Sequence, residues 1–267
     1  MTVGLICGSG FEELMTRGKR DSIKTPYGDV DIKTGRISRI KVVFIPRHGF
    51  RHEKPPQWVN YRGNVYALRK QGVEKVVATG AVGSLNALYK PGDLVLIDQF
   101  IDLTKRRPST FYEDEAVHVD ATDPYCPILR EALLSSGRRL GLRVWDHGTY
   151  VCTEGPRFET RAEIKFFDVI GGDVVGMTNL PEVVLARELG LCYATIAVVT
   201  NWAAGIQERV SMEEVYALMD RRRGDVKALL REALPKIDEA PRCPECRAID
   251  AKASELMRKL EGRSPSG

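Results

Sequence analysis

The stretch that decides the fold runs from Asp173 to Gly205 and reads DVVGMTNLPEVVLARELGLCYATIAVVTNWAAG. Val174 and Val175 suit a short buried strand. Pro181 suits the first turn of a helix, where its missing N–H costs nothing. Thr178 or Asn179 is placed to cap that helix, and Val184, Leu185 and Leu189 fall on one face at helical spacing. Gly190 ends it. Cys192 to Val199 is then apolar and rich in β-branched residues, the pattern of a strand covered on both faces. It stops at Thr200-Asn201-Trp202. Polar groups just past the carboxyl end of a buried strand are where open α/β sheets bind ligands.

Working outward, the same alternation of short apolar runs and amphipathic stretches recurs. Val3 to Cys7 is a strand ending in Gly8-Ser9-Gly10, a turn without bulky side chains where backbone N–H groups can approach an anion. Tyr27 to Ile45 holds two or three strands, of which Val42 to Ile45 is the buried one and delivers Pro46-Arg47-His48-Gly49. Asn60 to Lys70 reads as a helix with Val65 and Leu68 inward; Lys75 to Thr79 is a strand running into Gly80-Ala81-Val82-Gly83-Ser84. Asp93 to Ile101 and Val144 to Cys152 each read as one strand, and Ile128 to Leu140, Thr160 to Ile170 and Ala248 to Leu260 as helices. Ser211 to Ile237 gives one or two more helices, with Val215, Leu218 and Met219 inward. The irregular segment from Lys105 to about Pro127 contains His118; loops this long in a compact domain are functional or disordered. The pattern predicts a single α/β domain, a central mixed β-sheet flanked by helices over residues 1–240, with a C-terminal extension over 241–267 that carries a terminal helix.

Composition narrows the function classes. A net charge of +4 in 267 residues argues for no nucleic-acid partner, and no apolar run is long enough to span a membrane. Cys7, Cys126, Cys152 and Cys192 sit in apolar or loop contexts and read as reduced thiols of a cytoplasmic protein. Cys243-Pro-Glu-Cys246 is half a zinc site or a redox pair. No second such pair and no nearby His accompanies it, so four metal ligands from one chain are not expected, and no metal or cofactor is assigned.

Several segments together resemble the purine nucleoside phosphorylase and 5′-methylthioadenosine phosphorylase family: GMTNLPEVVLARELGLCYATIAVVTN, PRHG at 46–49, VNYRGNVYALRKQGV at 59–73, GAVGSLN at 80–86, GDLVLIDQFID at 92–102 and TEGPRFETRAE at 153–163. They occur in the family's order over most of the chain. Read alone, Arg47 is a surface side chain and His48 a capping one. The resemblance implies instead that Ser9, Arg47, His48, Ala81 and Thr178 hold orthophosphate, a co-substrate, with Arg47 offering a planar fork to two oxygens and His48 a further donor. Gly80 departs from relatives that carry a hydroxyl or amide there. Met177 matches the residue beneath the ribose and Phe158 the aromatic on the base or sugar.

The resemblance also implies how the base is read. Asn201 stands where enzymes for 6-aminopurines carry Asp and enzymes for 6-oxopurines carry Asn, because an amide can both donate to O6 and accept from a protonated N7. Glu159 matches the acid that takes N1–H. Met212, Val215 and Tyr216 make an apolar pocket suited to a 5′-methylthio group, and His118 matches a residue that crosses a trimer interface to cover the neighbour's 5′ group. The expected activity is phosphorolysis of S-methyl-5′-thioinosine in a homotrimer or dimer of trimers. The alternatives are a general inosine and guanosine phosphorylase, a methylthioadenosine phosphorylase, and a catalytically silent nucleoside-binding homologue. For the cysteine pair the resemblance suggests a stabilising disulfide, against two idle thiols.

Overall fold

Strand Lys75–Ser84 is the hub of the molecule. The computed structural model describes residues 2–8, 11–15 and 17–262. In chain order the described strands are β1 (Thr2–Cys7), β2 (Lys19–Thr25), β3 (Gly28–Ile37), β4 (Ile40–Pro46), β5 (Lys75–Ser84), β6 (Leu94–Leu96), β7 (Gln99–Leu103), β8 (Val144–Trp145), β9 (Thr149–Thr153), β10 (Val174–Gly176) and β11 (Cys192–Trp202). The α-helices are α1 (Tyr61–Lys70), α2 (Pro127–Arg139), α3 (Arg161–Val169), α4 (Glu182–Glu188), α5 (Met212–Glu239), α6 (Pro244–Ala248) and α7 (Asp250–Glu261).

One mixed sheet holds all the described strands in the order β2-β3-β4-β1-β5-β10-β9-β7, with β11, β6 and β8 branching from β5. Neighbouring residues along a strand belong to opposite faces, so the core divides by alternation. Val3 and Leu5 of β1, Val42 and Phe44 of β4, and Val77 of β5 pack with α2 and α5. Ile6, Val43, Ile45, Val76 and Ala78 pack with α1, α4 and α7. The result is the α/β sandwich expected, a mixed sheet between two helical layers. The extension lies on both: Leu256 and Leu260 of α7 join one face, Cys243 and Cys246 the other.

The sheet is organised around a fork. β11 runs parallel along one whole edge of β5, from Cys192 opposite Lys75 to Trp202 opposite Ser84, with a register shift between Val199 and Asn201. On the other edge β1 pairs only with Lys75 to Ala78, and β10 pairs antiparallel only with Gly83 and Ser84. Between those two pairings, no described strand lies along that edge of Thr79 to Val82.

Several local expectations change. β5 does not end at Thr79; the small residues Gly80 to Ser84 stay in the strand because β11 pairs with them throughout. Asp93 to Ile101 and Val144 to Cys152 are each two strands on different parts of the sheet. Helix α4 starts one residue after Pro181, which is its N-cap, and neither Thr178 nor Asn179 lends a side chain to it. Its buried face is Val183, Leu185 and Ala186, with Val184 half-buried. Ser211 to Glu239 is a single helix with Ser211 as cap and Pro235 inside it. Helix α3 carries a reciprocal cap, Thr160 to the Glu163 N–H and Glu163 back to the Thr160 N–H, worth about 1 kcal/mol.

Candidate functional site

The fork collects the polar residues. Arg47, just past β4, lies in it with 3% of its surface exposed. Its guanidinium donates Nε to Glu182 Oε2 and Nη2 to Glu182 Oε1, both at 2.8 Å. Nη1 donates to the Thr79 carbonyl at 2.7 Å and Nη2 to the Ile6 carbonyl at 3.4 Å. Tyr193 adds its hydroxyl to Glu182 Oε1 at 2.7 Å. Burial opposes the charge on Arg47, but the Glu182 carboxylate outweighs it and holds the side chain protonated. The flat fork expected to face two phosphate oxygens is thus closed on a carboxylate. Of the five N–H groups of the guanidinium, one on Nη1 is left over.

The Thr79 carbonyl fixes the orientation of the next residues of β5. It faces the gap, since Arg47 reaches it there, and the pleat alternates, so Ala81 turns its own N–H to the same side. The Val82 carbonyl faces the opposite edge, where the Thr200 hydroxyl of β11 lies 3.2 Å from it. A Cβ added to Gly80 would meet Thr178 Oγ1 at 3.7 Å, so the Thr178 hydroxyl lies over β5 at Gly80. Its backbone N–H donates to the Tyr150 hydroxyl at 3.3 Å.

His48 is the next residue after Arg47. Its Nδ1–H donates to the Lys54 carbonyl at 2.8 Å, which leaves the Nε2 lone pair free. Burial, and then the Arg47 charge, push its pKa down to about 4, so the ring is neutral near pH 7. In this tautomer Nε2 accepts a hydrogen bond, where the sequence suggested a donor. The His48 ring stacks on His52 at 4.6 Å, and His52 meets the edge of Tyr216 at 6.2 Å. The first turns of α5 are thereby brought to the Arg47–His48 corner. Val215 is buried there, while Met212 is 42% and Tyr216 54% exposed.

At the other end of the fork, Asn201 is opposite Gly83 and 7% exposed. Its Oδ1 accepts from the Thr200 hydroxyl at 2.8 Å and its Nδ2 donates to the Trp202 carbonyl at 2.8 Å. One amide N–H and one lone pair remain. The bond to Trp202 sets which atom is nitrogen, and Gly83 leaves the room: a Cβ there would sit 3.1 Å from Nδ2. Glu159 accepts from the Thr153 hydroxyl at 2.7 Å, and that hydroxyl also lies 3.5 Å from the Gly176 carbonyl at the end of β10. Burial raises the Glu159 pKa despite this bond.

Two residues that organise the site carry no signal in the sequence. Glu182 resembles an ordinary helix-start acid but is fully buried. Arg107, in the irregular segment, donates to the carbonyls of Met177, Leu180, Thr153 and Glu154 and to the Tyr61 hydroxyl. It fastens the turn carrying Met177 to the end of β9. Met177 is half-buried, and a Cβ on Gly155 would sit 2.6 Å from its Sδ. Phe158 is half-buried and His118 exposed within its own chain. Ser9 lies outside the described residues. No described helix is long and apolar enough to cross a membrane.

The chain as a whole is similar to known proteins. The Phosphorylase superfamily model matches residues 2–235. A 6-oxopurine nucleoside phosphorylase of Pyrococcus furiosus is 48% identical over 251 residues, covering 90% of this chain and 95% of its own. A protein of Methanopyrus kandleri named "Probable S-methyl-5'-thioinosine phosphorylase" is 47% identical over 250 residues, covering 93% of this chain and 97% of its own. Among solved structures, a mutant adenosine/methylthioadenosine phosphorylase of Schistosoma mansoni in complex with methylthioadenosine superposes with a TM-score of 0.88 at 32% identity, covering 97% of this chain and 98% of that one. The chain belongs to the phosphorylase superfamily, among its purine nucleoside and 5′-methylthioadenosine phosphorylases, and is a pentosyltransferase of that class.

Proposed function

We propose that this enzyme cleaves 6-oxopurine nucleosides with orthophosphate, and that S-methyl-5′-thioinosine is its preferred substrate, giving hypoxanthine and 5-methylthioribose 1-phosphate. The bond from C1′ to N9 breaks with its electron pair leaving on the purine, and a phosphate oxygen bonds to C1′. Positive charge on the sugar and negative charge on the base both grow before the new bond is complete. The reaction therefore needs an anion held beneath the sugar and donors aimed at the departing base. No cofactor enters this scheme.

The observation that carries the reading is the Asn201 amide, fixed by its neighbours with one N–H and one lone pair to spare. That pair of capacities matches O6 together with a protonated N7. A 6-amino group beside an unprotonated N7 has the opposite polarity, donor then acceptor, and would use the same two capacities only with the amide turned over, which the bonds to Thr200 and Trp202 oppose. Glu159, whose burial disfavours the ionised form, gains from an N1–H donor that 6-oxopurines have and adenine lacks. On the anion side, the reading takes the Ala81 N–H, the Thr178 hydroxyl and the last Arg47 N–H as donors to phosphate, with Ser9 assigned by resemblance. His48 Nε2 accepts from a protonated phosphate oxygen. Met177 and Phe158 pack on ribose and base. Met212, Val215 and Tyr216 supply the apolar end, and His118 of a neighbouring copy closes it in a homotrimer or dimer of trimers.

One observation favours a second reading, a general inosine and guanosine phosphorylase: the exposed Tyr216 hydroxyl could serve a 5′-hydroxyl. The test is phosphorolysis of inosine, adenosine and their two 5′-methylthio analogues side by side. The proposal expects the highest kcat/KM for methylthioinosine. A clear preference for either adenine compound would overturn the 6-oxopurine reading, and a preference for inosine would favour the second. A monomer by light scattering would remove the role of His118.

A further inference from the structure

Away from the fork, the chain gathers four of its six cysteines in one buried place. Cys126 is the residue before α2, Cys192 opens β11, and Cys243 and Cys246 flank the first turn of α6. All four are buried. The Sγ atoms of Cys126, Cys192 and Cys243 lie within 4.8 Å of one another, with Cys192 and Cys243 3.7 Å apart. Cys246 is close enough to Cys192 and Cys243 to share thiol hydrogen bonds with them. A zinc ion with Zn–S bonds of about 2.3 Å at the centre of a tetrahedron sets its sulfurs about 3.8 Å apart. The sulfurs of Cys126, Cys192 and Cys243 thus already approach one face of such a tetrahedron, and Cys246 Sγ, outside that group of three, has to close towards Cys126 to complete it.

We propose that Cys126, Cys192, Cys243 and Cys246 form a tetrathiolate site for one zinc ion, fastening the C-terminal extension to the sheet. This departs from the expectation drawn from the sequence, where nothing near the CPEC turn supplies a second pair. The fold supplies it from two distant segments.

The surroundings suit the charge. Binding exchanges four thiol protons, taken by the buffer, for one Zn²⁺ and leaves a unit of net charge −2. Buried Lys75 is paired in register with Cys192 on the neighbouring strand. Arg187, also buried, donates Nη1 to Cys246 Sγ at 3.9 Å. Arg242 holds the turn in shape, donating to the Cys246 carbonyl at 3.2 Å, the Gly190 carbonyl at 2.6 Å and both oxygens of Asp250 at 2.7 Å. The Cys246 thiol now donates to the Leu191 carbonyl at 3.5 Å, a bond that lapses once metal replaces the proton. Four protein ligands leave no open position, so the ion is structural rather than catalytic.

The experiment uses the full chain, expressed with zinc in the medium, purified under reductant and desalted. Metal analysis should find one zinc per chain. Exchange with Co²⁺ should give the visible d–d bands and near-ultraviolet thiolate charge transfer of a tetrahedral sulfur site. Replacing Cys243→Ser and Cys246→Ser together should abolish both, and Cys126→Ser, on another element, should do the same. Three results would overturn the proposal: reduced, folded protein that holds no zinc and takes up no cobalt; zinc content unchanged in the folded double variant; or iron in place of zinc. Thiol titration of the denatured, unreduced protein adds a fourth. Only two reactive thiols out of six would mean that the four sulfurs are joined in pairs as disulfides.

Discussion

The paired strands β5 and β11 begin and end in opposite chemistries. At their amino ends Lys75 and Cys192 are opposite each other, at their carboxyl ends Gly83 and Asn201. The Lys75 ammonium is spent on the carbonyls of Ile237, Asp238 and Ala240. Arg47, buried just as deeply at the fork, keeps one N–H in reserve, and Asn201 keeps one donor and one acceptor. Both ends are dry and polar. Burial costs a polar group free energy unless it is bonded, so bonding capacity left over at one end and consumed at the other separates the proposed binding end from a structural end.

Five measurements would break or sharpen that contrast. Arg47→Ala leaves Glu182 buried without its cation, which should cost about 3–5 kcal/mol in urea unfolding and abolish phosphorolysis; a cost below about 1 kcal/mol would mean the pair is not the keystone of the fork. His48 gives a pH signature. The unfolded chain takes up its proton near 6.5, the folded chain only near 4, so its contribution is fully present above 6.5 and fades as pH falls through that window. The loss should approach about 3 kcal/mol by pH 4, and His48→Asn, whose amide can still donate to the Lys54 carbonyl, should flatten the slope. Lys75→Met should cost about 1–3 kcal/mol by stranding three carbonyls, yet leave the activity ratios among the four nucleosides as they were. A changed ratio would show that the two ends are coupled.

Asn201→Asp should swing kcat/KM from methylthioinosine toward methylthioadenosine by about tenfold or more, since a carboxylate repels O6 and cannot donate to the Trp202 carbonyl. An unchanged ratio removes Asn201 from base recognition. The smallest effect is expected of Met212→His, which should improve inosine relative to methylthioinosine by about threefold to tenfold. Met212 is exposed in the single chain, so no change there would place the 5′ pocket elsewhere.

Most of the framework was legible in the sequence because each element announces itself locally. The run from Cys192 carries no polar residue until Thr195 and could hardly be anything but a covered strand. Thr160 and Glu163 spell out the start of α3. The site was legible only in part. Ala81, Thr178 and Asn201 lie where strands end or part. What stayed hidden depends on partners far away in the chain. Glu182 looks like a helix-start acid until Arg47, 135 residues away, is folded onto it. Arg107 sits in a segment without periodicity, and its task is to bond backbone carbonyls that no side-chain pattern reveals. The cysteine cluster was hidden for the same reason, since its members come from three separated stretches.

The Arg47–Glu182 clamp has a consequence for how the proposed site would receive an anion. The guanidinium cannot swing out to meet a ligand without abandoning a carboxylate in the interior, so its rotamer is settled when the chain folds. Loss of side-chain freedom is therefore incurred once, during folding, and not at every turnover. On the proposed reading, what moves on arrival is the ligand and its water, so anion occupancy should respond to temperature chiefly through hydration.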